Sequence, residues 1–253
     1  MPVGRFPAES FAAAESTIMR YAIYYTPPRD AALTRAAAAW LGRDVFAGEA
    51  VPHPQAGRLS LAELAFHTAA ARRYGFHATL KAPFQLAPGC GEGELIAAFH
   101  HFASGIEPLV LPRVEARVLS GFIAIVPSDR DAALDHLAGE AVRIFEPFRA
   151  PMTDADFLRR NPENLTPNQI KHLQMWGYPY VFDEFRFHMT LTGRVDEGER
   201  EKLMSAARGY FSAHLDRPLE IASIALFVEP EPGAPFVVRA FSGLGRQSAR
   251  KTA

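Results

Sequence analysis

The chain has 253 residues, of which 48% are hydrophobic and 22% are charged, close to the usage of ordinary globular proteins. This composition excludes disorder and low-complexity sequence as the main content, and the length predicts one or two domains. Lys and Arg number 27 and Asp and Glu 28, so the net charge of −1 does not indicate a nucleic-acid coat protein. The single cysteine, Cys90, excludes an intramolecular disulfide and is typical of a reducing, cytoplasmic location.

The two ends of the chain carry weak structural signals. Residues 1–18 lack the basic start and apolar core of a signal peptide, so we interpret them as a loose extension, with Met19 as an alternative start. Residues 246–253 are polar and predict a mobile tail. No run of about 20 apolar residues occurs, so we expect no membrane span. Residues 19–245 are expected to form one bilobal domain.

Strand and helix signals alternate through the first half of this domain. Two signals are specific: Asp30 as a helix cap, and the capping box of Ser60 and Glu63. The predicted elements are a strand over 20–26, a helix after Asp30, a helix after Ser60, a strand over 74–82, a helix over 92–104, and two strands within 109–126 that break near Ser120.

The same pattern recurs in the second half. The predicted elements there are a strand over 122–126, a helix over 129–145, a strand over 185–194, a helix over 196–215, and strands over 219–228 and 236–241. The recurrence predicts an α+β fold, an internal duplication of β-α-β-α-β-β units with mostly antiparallel sheets facing a central cleft. We expect the halves, about 19–121 and 122–245, to form the two lobes.

Residues 148–181 are extra in the second half. They contain a capping-box sequence from Thr166 to Gln169 with proline at the first helical position. We interpret them as an inserted helical segment that covers the cleft.

A short motif occurs once in each half, in strands predicted to be equivalent. Residues 76–80 and 187–191 both read Phe-His-x-Thr-Leu. Because side chains alternate along a strand, His77 and Thr79 share one face while their apolar neighbours face the core. The same holds for His188 and Thr190. Two lobes related by a pseudo-twofold axis would bring these polar faces together across a groove.

Two facing histidines suit the cleavage of a phosphodiester. One can act as the base for the attacking oxygen and the other as the acid for the leaving oxygen, each proton transfer contributing about 10²–10⁴-fold in rate. The hydroxyls of Thr79 and Thr190 can donate hydrogen bonds to the phosphate oxygens. We expect no metal and no cofactor, because these side chains supply both the proton transfers and the charge stabilisation.

Three further residues are weaker candidates for substrate contacts. Lys81 and Arg194 lie on the polar faces of the motif strands and can add positive charge, although solvated strand ends use the same residues. Tyr25 can stack on a base or sugar, although core or edge packing is the more common role for a tyrosine in this strand. Phosphate-binding loops of the Gly-x-Gly-x-x-Gly type are absent from the sequence, which argues against nucleoside triphosphate chemistry.

The paired motifs resemble those of the 2H phosphoesterase superfamily, which includes bacterial RNA 2′,5′-ligase-like proteins and 2′,3′-cyclic nucleotide phosphodiesterases. The segments 20–27, 74–81 and 187–191 are more similar to a branch encoded beside phosphonate-degradation genes. The resemblance implies the bilobal fold, metal-independent action, and functional roles for His77, Thr79, His188 and Thr190. It also implies a substrate from phosphonate breakdown, such as a ribose cyclic phosphate. The insertion at 148–181 departs from the shorter members and argues against an RNA substrate.

These observations favour a cyclic phosphodiesterase acting on a small phosphorylated substrate. Two alternatives stay open. The groove can instead bind RNA ends or phosphorylated metabolites without cleaving them, or the protein can act as an RNA 2′,5′-ligase, which would require a longer basic surface. The sequence assigns neither the acid and base roles of the histidines nor the oligomeric state.

Overall fold

A computed structural model describes residues 19–245, so the predicted extension at 1–18 and tail at 246–253 lie outside the described residues. Within that range the chain forms nine β-strands and seven α-helices. The strands are β1 (Arg20–Tyr25), β2 (Ala78–Phe84), β3 (Leu109–Leu111), β4 (Val114–Leu119), β5 (Phe122–Pro127), β6 (Met189–Arg194), β7 (Leu219–Ile221), β8 (Ser223–Glu229) and β9 (Val237–Gly243). The helices are α1 (Ala32–Leu41), α2 (Leu61–Tyr74), α3 (Glu92–Ser104), α4 (Ala132–Ile144), α5 (Asp154–Leu158), α6 (Pro167–Trp176) and α7 (Glu197–Tyr210). None of the helices in this range is both long enough and apolar enough to span a bilayer.

The strands of the described range form antiparallel sheets, which confirms the predicted α+β class. Their orders are β2-β1-β8-β9, β4-β5-β6 and β3-β7. Strands are exchanged between the sequence halves, because β8 and β9 come from the second half yet join β1, and β4 precedes residue 122 yet pairs with β5. The division at 121 and 122 therefore does not separate the sheets. Each motif strand, β2 or β6, lies at the edge of its sheet.

Helix starts follow the capping signals, with one exception. The Ser60 hydroxyl accepts from the Glu63 amide at 3.2 Å, and Thr166 caps α6 in the same way. Asp30, predicted to cap α1, does not do so, and Ala31 occupies that position without a side-chain bond. The turn that follows the two prolines extends one residue further, since the amide of Ala31 donates to the carbonyl of Pro28 at 3.0 Å.

Both motif strands begin later than predicted. The strand predicted over 74–82 is β2, because α2 continues to Tyr74 and the chain then turns at Gly75 with a φ of +75°. A Cβ at Gly75 would lie 1.7 Å from Val45, so only glycine fits this close approach. Pro83 lies within β2 instead of ending it, which an edge strand tolerates. The strand predicted over 185–194 is β6, which begins only at Met189.

The predicted apolar faces of the motif strands are buried in one core. The buried residues are Phe76, Ala78 and Leu80 in the first copy and Phe187, Met189 and Leu191 in the second. Each motif strand packs against a helix from the other half of the sequence. Trp40 of α1 donates to the Leu191 carbonyl of β6 at 2.9 Å, and Lys81 of β2 donates to the Val142 carbonyl of α4 at 3.0 Å. This reciprocal packing brings the two motif strands into one rigid core.

Candidate active site

The two histidines occupy the same local position in different sheets. His77 directly precedes the first residue of β2, and His188 directly precedes the first residue of β6. Both side chains are half-buried, whereas the residues on either side of each histidine in the motif are buried in the core. The predicted alternation therefore holds at both positions, and neither imidazole lies in the apolar interior.

Each histidine makes the same hydrogen bond to its own backbone. Nδ1 of His77 lies 2.9 Å from the Gly75 carbonyl oxygen, and Nδ1 of His188 lies 2.7 Å from the Arg186 carbonyl oxygen. A carbonyl oxygen can only accept, so Nδ1 carries the proton in both rings. In the neutral imidazole, Nε2 is then an unprotonated acceptor, and in the imidazolium it is a donor. The backbone thus orients both rings and leaves Nε2 to exchange protons.

Aromatic side chains surround His77. The ring of Tyr24 stacks on the imidazole with centroids 3.9 Å apart and planes at 25°. Tyr74 and Phe227 lie 6.1 and 6.2 Å away, centroid to centroid. The pKa of His77 is lowered to about 4, chiefly by burial among these rings; the bond to the Gly75 carbonyl opposes the shift and the charge of His188 adds to it.

His188 has a less enclosed environment. Its nearest aromatic neighbour is Phe122, whose ring centroid is 5.6 Å away at a tilted angle. Burial lowers the pKa of His188 as well, partly offset by the bond to the Arg186 carbonyl. Burial thus favours the neutral form of both rings.

The motif threonines lie beside the histidines and are half-buried. Within residues 19–245 neither hydroxyl is bonded to the protein. Thr192, two residues beyond Thr190, differs because its hydroxyl accepts from the Ile123 amide at 2.9 Å and donates to the Gly193 carbonyl at 2.8 Å. The hydroxyls of Thr79 and Thr190 are thus available to a ligand, whereas that of Thr192 is committed to the fold.

Two of the three weaker candidates for substrate contacts are buried and bonded to other residues of the protein. Lys81 is 3% exposed, and its ammonium lies 2.7 Å from the Glu146 carboxylate because α4 and the turn after it cover this end of β2. Tyr25 is fully buried, and its hydroxyl donates to the Glu220 carbonyl at 3.1 Å. Their predicted roles in substrate contact are corrected on these grounds. Arg194 is exposed at the end of β6.

Tyr24 is the functional neighbour that the sequence prediction missed. The pairing of β1 with β2 places it there. Tyr24 is opposite Thr79 and therefore lies on the face of the sheet that carries the motif threonine. The equivalent partner of Thr190 on β5 is Ala124. The stacked ring is therefore a feature of the first copy only.

One side chain of the inserted segment acts electrostatically on the aromatic group around His77. Tyr178, which follows α6, raises the pKa of the Tyr24 phenol, as does Tyr74, although burial is the larger cause. The guanidinium of Arg160 lies over the Tyr178 ring, 5.5 Å from its centroid. That the inserted segment covers the cleft stays a prediction.

No three His, Cys, Asp or Glu side chains of residues 19–245 are grouped in a way that could hold a metal ion. Cys90 is a free thiol, partly exposed, in a turn before α3. The predicted site residues of this region are thus His77, Thr79, His188 and Thr190.

Comparison with known proteins gives relatives and distant structural neighbours. The chain is 37% identical to ribose 1,5-bisphosphate phosphokinase PhnN of Janthinobacterium sp. (strain Marseille), over 98% of this chain and 55% of that protein. It is 36% identical to the protein of the same name from Laribacter hongkongensis (strain HLHK9), over 86% of this chain and 50% of that protein. The chain thus spans about half the length of the curated relatives it matches.

Among solved structures, E. coli LigT complexed with phosphate is similar at a TM-score of 0.40 and 13% identity, over 91% of this chain and 99% of that chain. The protein TT0787 of Thermus thermophilus is similar at a TM-score of 0.41 and 16% identity, over 90% of this chain and 100% of that chain. These likenesses are distant. The PhnN-named relatives fit the phosphonate-associated branch that the sequence resembles. A family model matches residues 79–237, more than half of the chain, and the chain accordingly belongs to that family, described as protein of unknown function DUF1045.

Proposed function

We propose that this chain is a phosphoesterase that opens a small cyclic phosphodiester by two-histidine acid–base catalysis. The observation that carries the proposal is the matched pair of imidazoles, each held through Nδ1 by a carbonyl two residues earlier and each with Nε2 unbonded within the described range of 19–245. One Nε2 takes the proton of an attacking water, and the other protonates the oxygen that leaves phosphorus. One P–O bond forms and one breaks, so the product is a phosphate monoester with a new hydroxyl.

The threonines support this chemistry. Hydroxyls free of protein partners beside each histidine can donate to the non-bridging oxygens, where negative charge increases during the reaction. The depressed pKa of His77 keeps that ring neutral near pH 7, as a base requires. Because His188 is enclosed by fewer aromatic rings, we propose His77 as the base and His188 as the acid for ring opening.

The substrate class follows from the relatives and the chemistry together. The relatives carry the name of a kinase of ribose 1,5-bisphosphate, and this chain matches about half of each. Because the chain contains no phosphate-binding loop, we assign the kinase activity to the other half of those proteins. Hydrolysis of the P–O2 bond in a 1,2-cyclic phosphate of ribose 5-phosphate yields ribose 1,5-bisphosphate. We therefore propose that ribose cyclic phosphate as the substrate, ahead of nucleoside 2′,3′-cyclic phosphates.

The test is product analysis in the presence of a chelator. The purified chain is incubated with EDTA and either the ribose 1,2-cyclic phosphate or a nucleoside 2′,3′-cyclic phosphate, and products are identified by ³¹P NMR. We expect a monoester product with the wild-type chain and none with the His77→Ala, His188→Ala double variant. Tight binding by both proteins without any product would instead support the alternative of a non-catalytic binder.

A further inference from the structure

A small cavity lies at the end of β1, outside the site described above. Its volume is about 40 Å³, and its lining includes Thr26, Arg29, Thr34, Arg35, Arg43 and Phe76. We propose that this cavity is a second binding site, specific for a tetrahedral oxyanion such as inorganic phosphate or the phosphate group of a monoester.

Arg43 forms the buried part of the cavity and supplies the main evidence. It is 7% exposed, and its Nη1 atom is buried without a hydrogen-bond partner among residues 19–245. Burial also lowers the pKa of its guanidinium. A buried guanidinium without a bonded partner is costly, and a bound anion would remove that cost. The orphaned donor therefore indicates the charge of the missing ligand.

Positive charges outnumber negative charges around the cavity. Arg29 and Arg35 are exposed at its rim, so that with Arg43 three arginines face one carboxylate, that of Asp44. Asp44 is 3.5 Å from Arg29, but its other oxygen already accepts from the amides of Phe46 and Ala47. The cavity keeps an excess of positive charge. The planar fork of arginine matches phosphate oxygens, which favours a phosphate over a carboxylic acid of the same charge.

The first turn of α1 adds to this potential. Thr34 lies in that turn and lines the cavity, and the N-cap residue Ala31 makes no side-chain bond to the helix amides. The amino end of a helix carries partial positive charge and favours anions.

The cavity is distinct from the His77 site. Phe76 lines it with a side chain that belongs to the core, whereas His77 is absent from its lining. The two are connected through the backbone, because the Thr26 hydroxyl at the cavity donates to the Phe76 carbonyl at 2.9 Å. The volume suffices for roughly three water molecules, at about 10–15 Å³ each. It therefore accommodates one phosphate group, and any attached sugar must extend past Arg29 and Arg35.

Calorimetric titration with inorganic phosphate tests the site in a Thr79→Val, Thr190→Val background, which removes the hydroxyls of the catalytic site. We expect this double variant to retain phosphate binding. Adding Arg43→Gln to it should weaken phosphate binding by at least tenfold. Arg58→Gln, at an exposed arginine away from the cavity, is the matched control and should leave binding unchanged. Ribose 5-phosphate is titrated in parallel, and the tighter of the two ligands identifies the source of the phosphate.

Two results would overturn the proposal. One is that the background variant binds neither phosphate nor ribose 5-phosphate. The other is that a folded Arg43→Gln variant binds as tightly as its parent. Where Arg43→Gln fails to fold by circular dichroism, Arg29→Gln with Arg35→Gln replaces it, since both rim residues are exposed. Unchanged affinity in that double variant would equally exclude the site. None of these readouts measures turnover, so the proposed hydrolysis can fail independently.

Discussion

His77 and His188 stand at the same point of two different sheets, each one residue before an edge strand begins. The motif copies share the bond from Nδ1 to a carbonyl two residues earlier, and in both the threonine hydroxyl has no partner in the part of the chain that the structure describes. They differ in the neighbouring strand. Thr79 is opposite Tyr24, whereas Thr190 is opposite Ala124.

This difference shows which properties of the site depend on the motif itself and which depend on the neighbouring strand. The motif determines the tautomer and the direction of each ring, because both bonds lie within three residues of chain. The residue on the adjacent strand determines how strongly the ring is enclosed, so His77 alone stacks on a phenol. A duplicated motif can therefore provide one geometry with two different acidities.

The largest expected effect comes from removing either imidazole. We expect His77→Ala and His188→Ala each to reduce kcat/KM by at least about 10²–10⁴-fold, because each transfers one proton. His100→Ala, at an exposed histidine of α3, is the control and should retain full activity. Circular dichroism and thermal melting check that the variants fold. Full activity in either single variant would show that the copies do not act as a pair.

Removing the motif hydroxyls should have a smaller effect. Thr79→Val and Thr190→Val preserve shape and remove one charge-assisted hydrogen bond, so we expect kcat/KM to fall by about 10–10²-fold in each. Thr192→Val is the matched control, because its hydroxyl bonds to Ile123 and Gly193. It should lower the free energy of unfolding by about 1–3 kcal/mol and leave kcat/KM unchanged. Equal kinetic losses in all three variants would contradict the distinction between free and committed hydroxyls.

The alternation of side chains along a strand made the motif pair predictable. His77 and Thr79 on one side of Ala78, with the apolar residues opposite, require only a period of two. Capping boxes predicted two helix starts for an equally local reason, since the interacting groups are three residues apart. The α+β class was therefore predictable from the chain, whereas the roles of the motif residues stay predictions.

Longer-range packing set the limits of that prediction. Alternation places Lys81 with His77 and Thr79, but it does not reveal that α4 covers this end of β2 and that Glu146 binds the ammonium. Alternation also separates Tyr24 from Tyr25 without saying which one faces the motif threonine, which depends on an irregular register with β2. The exchange of β8 and β9 into the first sheet likewise depends on contacts between residues far apart in sequence.

Lys81 on β2 and Arg194 on β6 allow a second comparison of the two motif strands, between a buried and an exposed cation. Lys81→Met should lower the free energy of unfolding by about 1–3 kcal/mol, less than for a fully buried pair, since Glu146 keeps Arg149 at 2.6 Å. Arg194→Gln, at an exposed position, should change it by less than about 0.5 kcal/mol. Denaturant unfolding measures both. A large loss of kcat/KM in Lys81→Met without a loss of stability would restore this lysine to the substrate site.

The smallest effects test the acidity difference itself. We expect an NMR titration to give His77 a pKa of about 4 and to place the pKa of His188 below its ordinary value as well. Tyr24→Ala removes the ring that covers the imidazole and admits water, so it should raise the pKa of His77 towards its ordinary value of about 6.5, whereas Tyr24→Phe keeps the ring and should not. Between these two pH values the unfolded chain binds more protons at His77 than the folded chain, so the free energy of unfolding should fall as the pH drops from about 6.5 to 4. His77→Gln should flatten that slope by about 1–3 kcal/mol over the interval, discounted for partial exposure of the ring. Identical titration of both histidines in the wild-type chain would remove the basis for assigning them different roles.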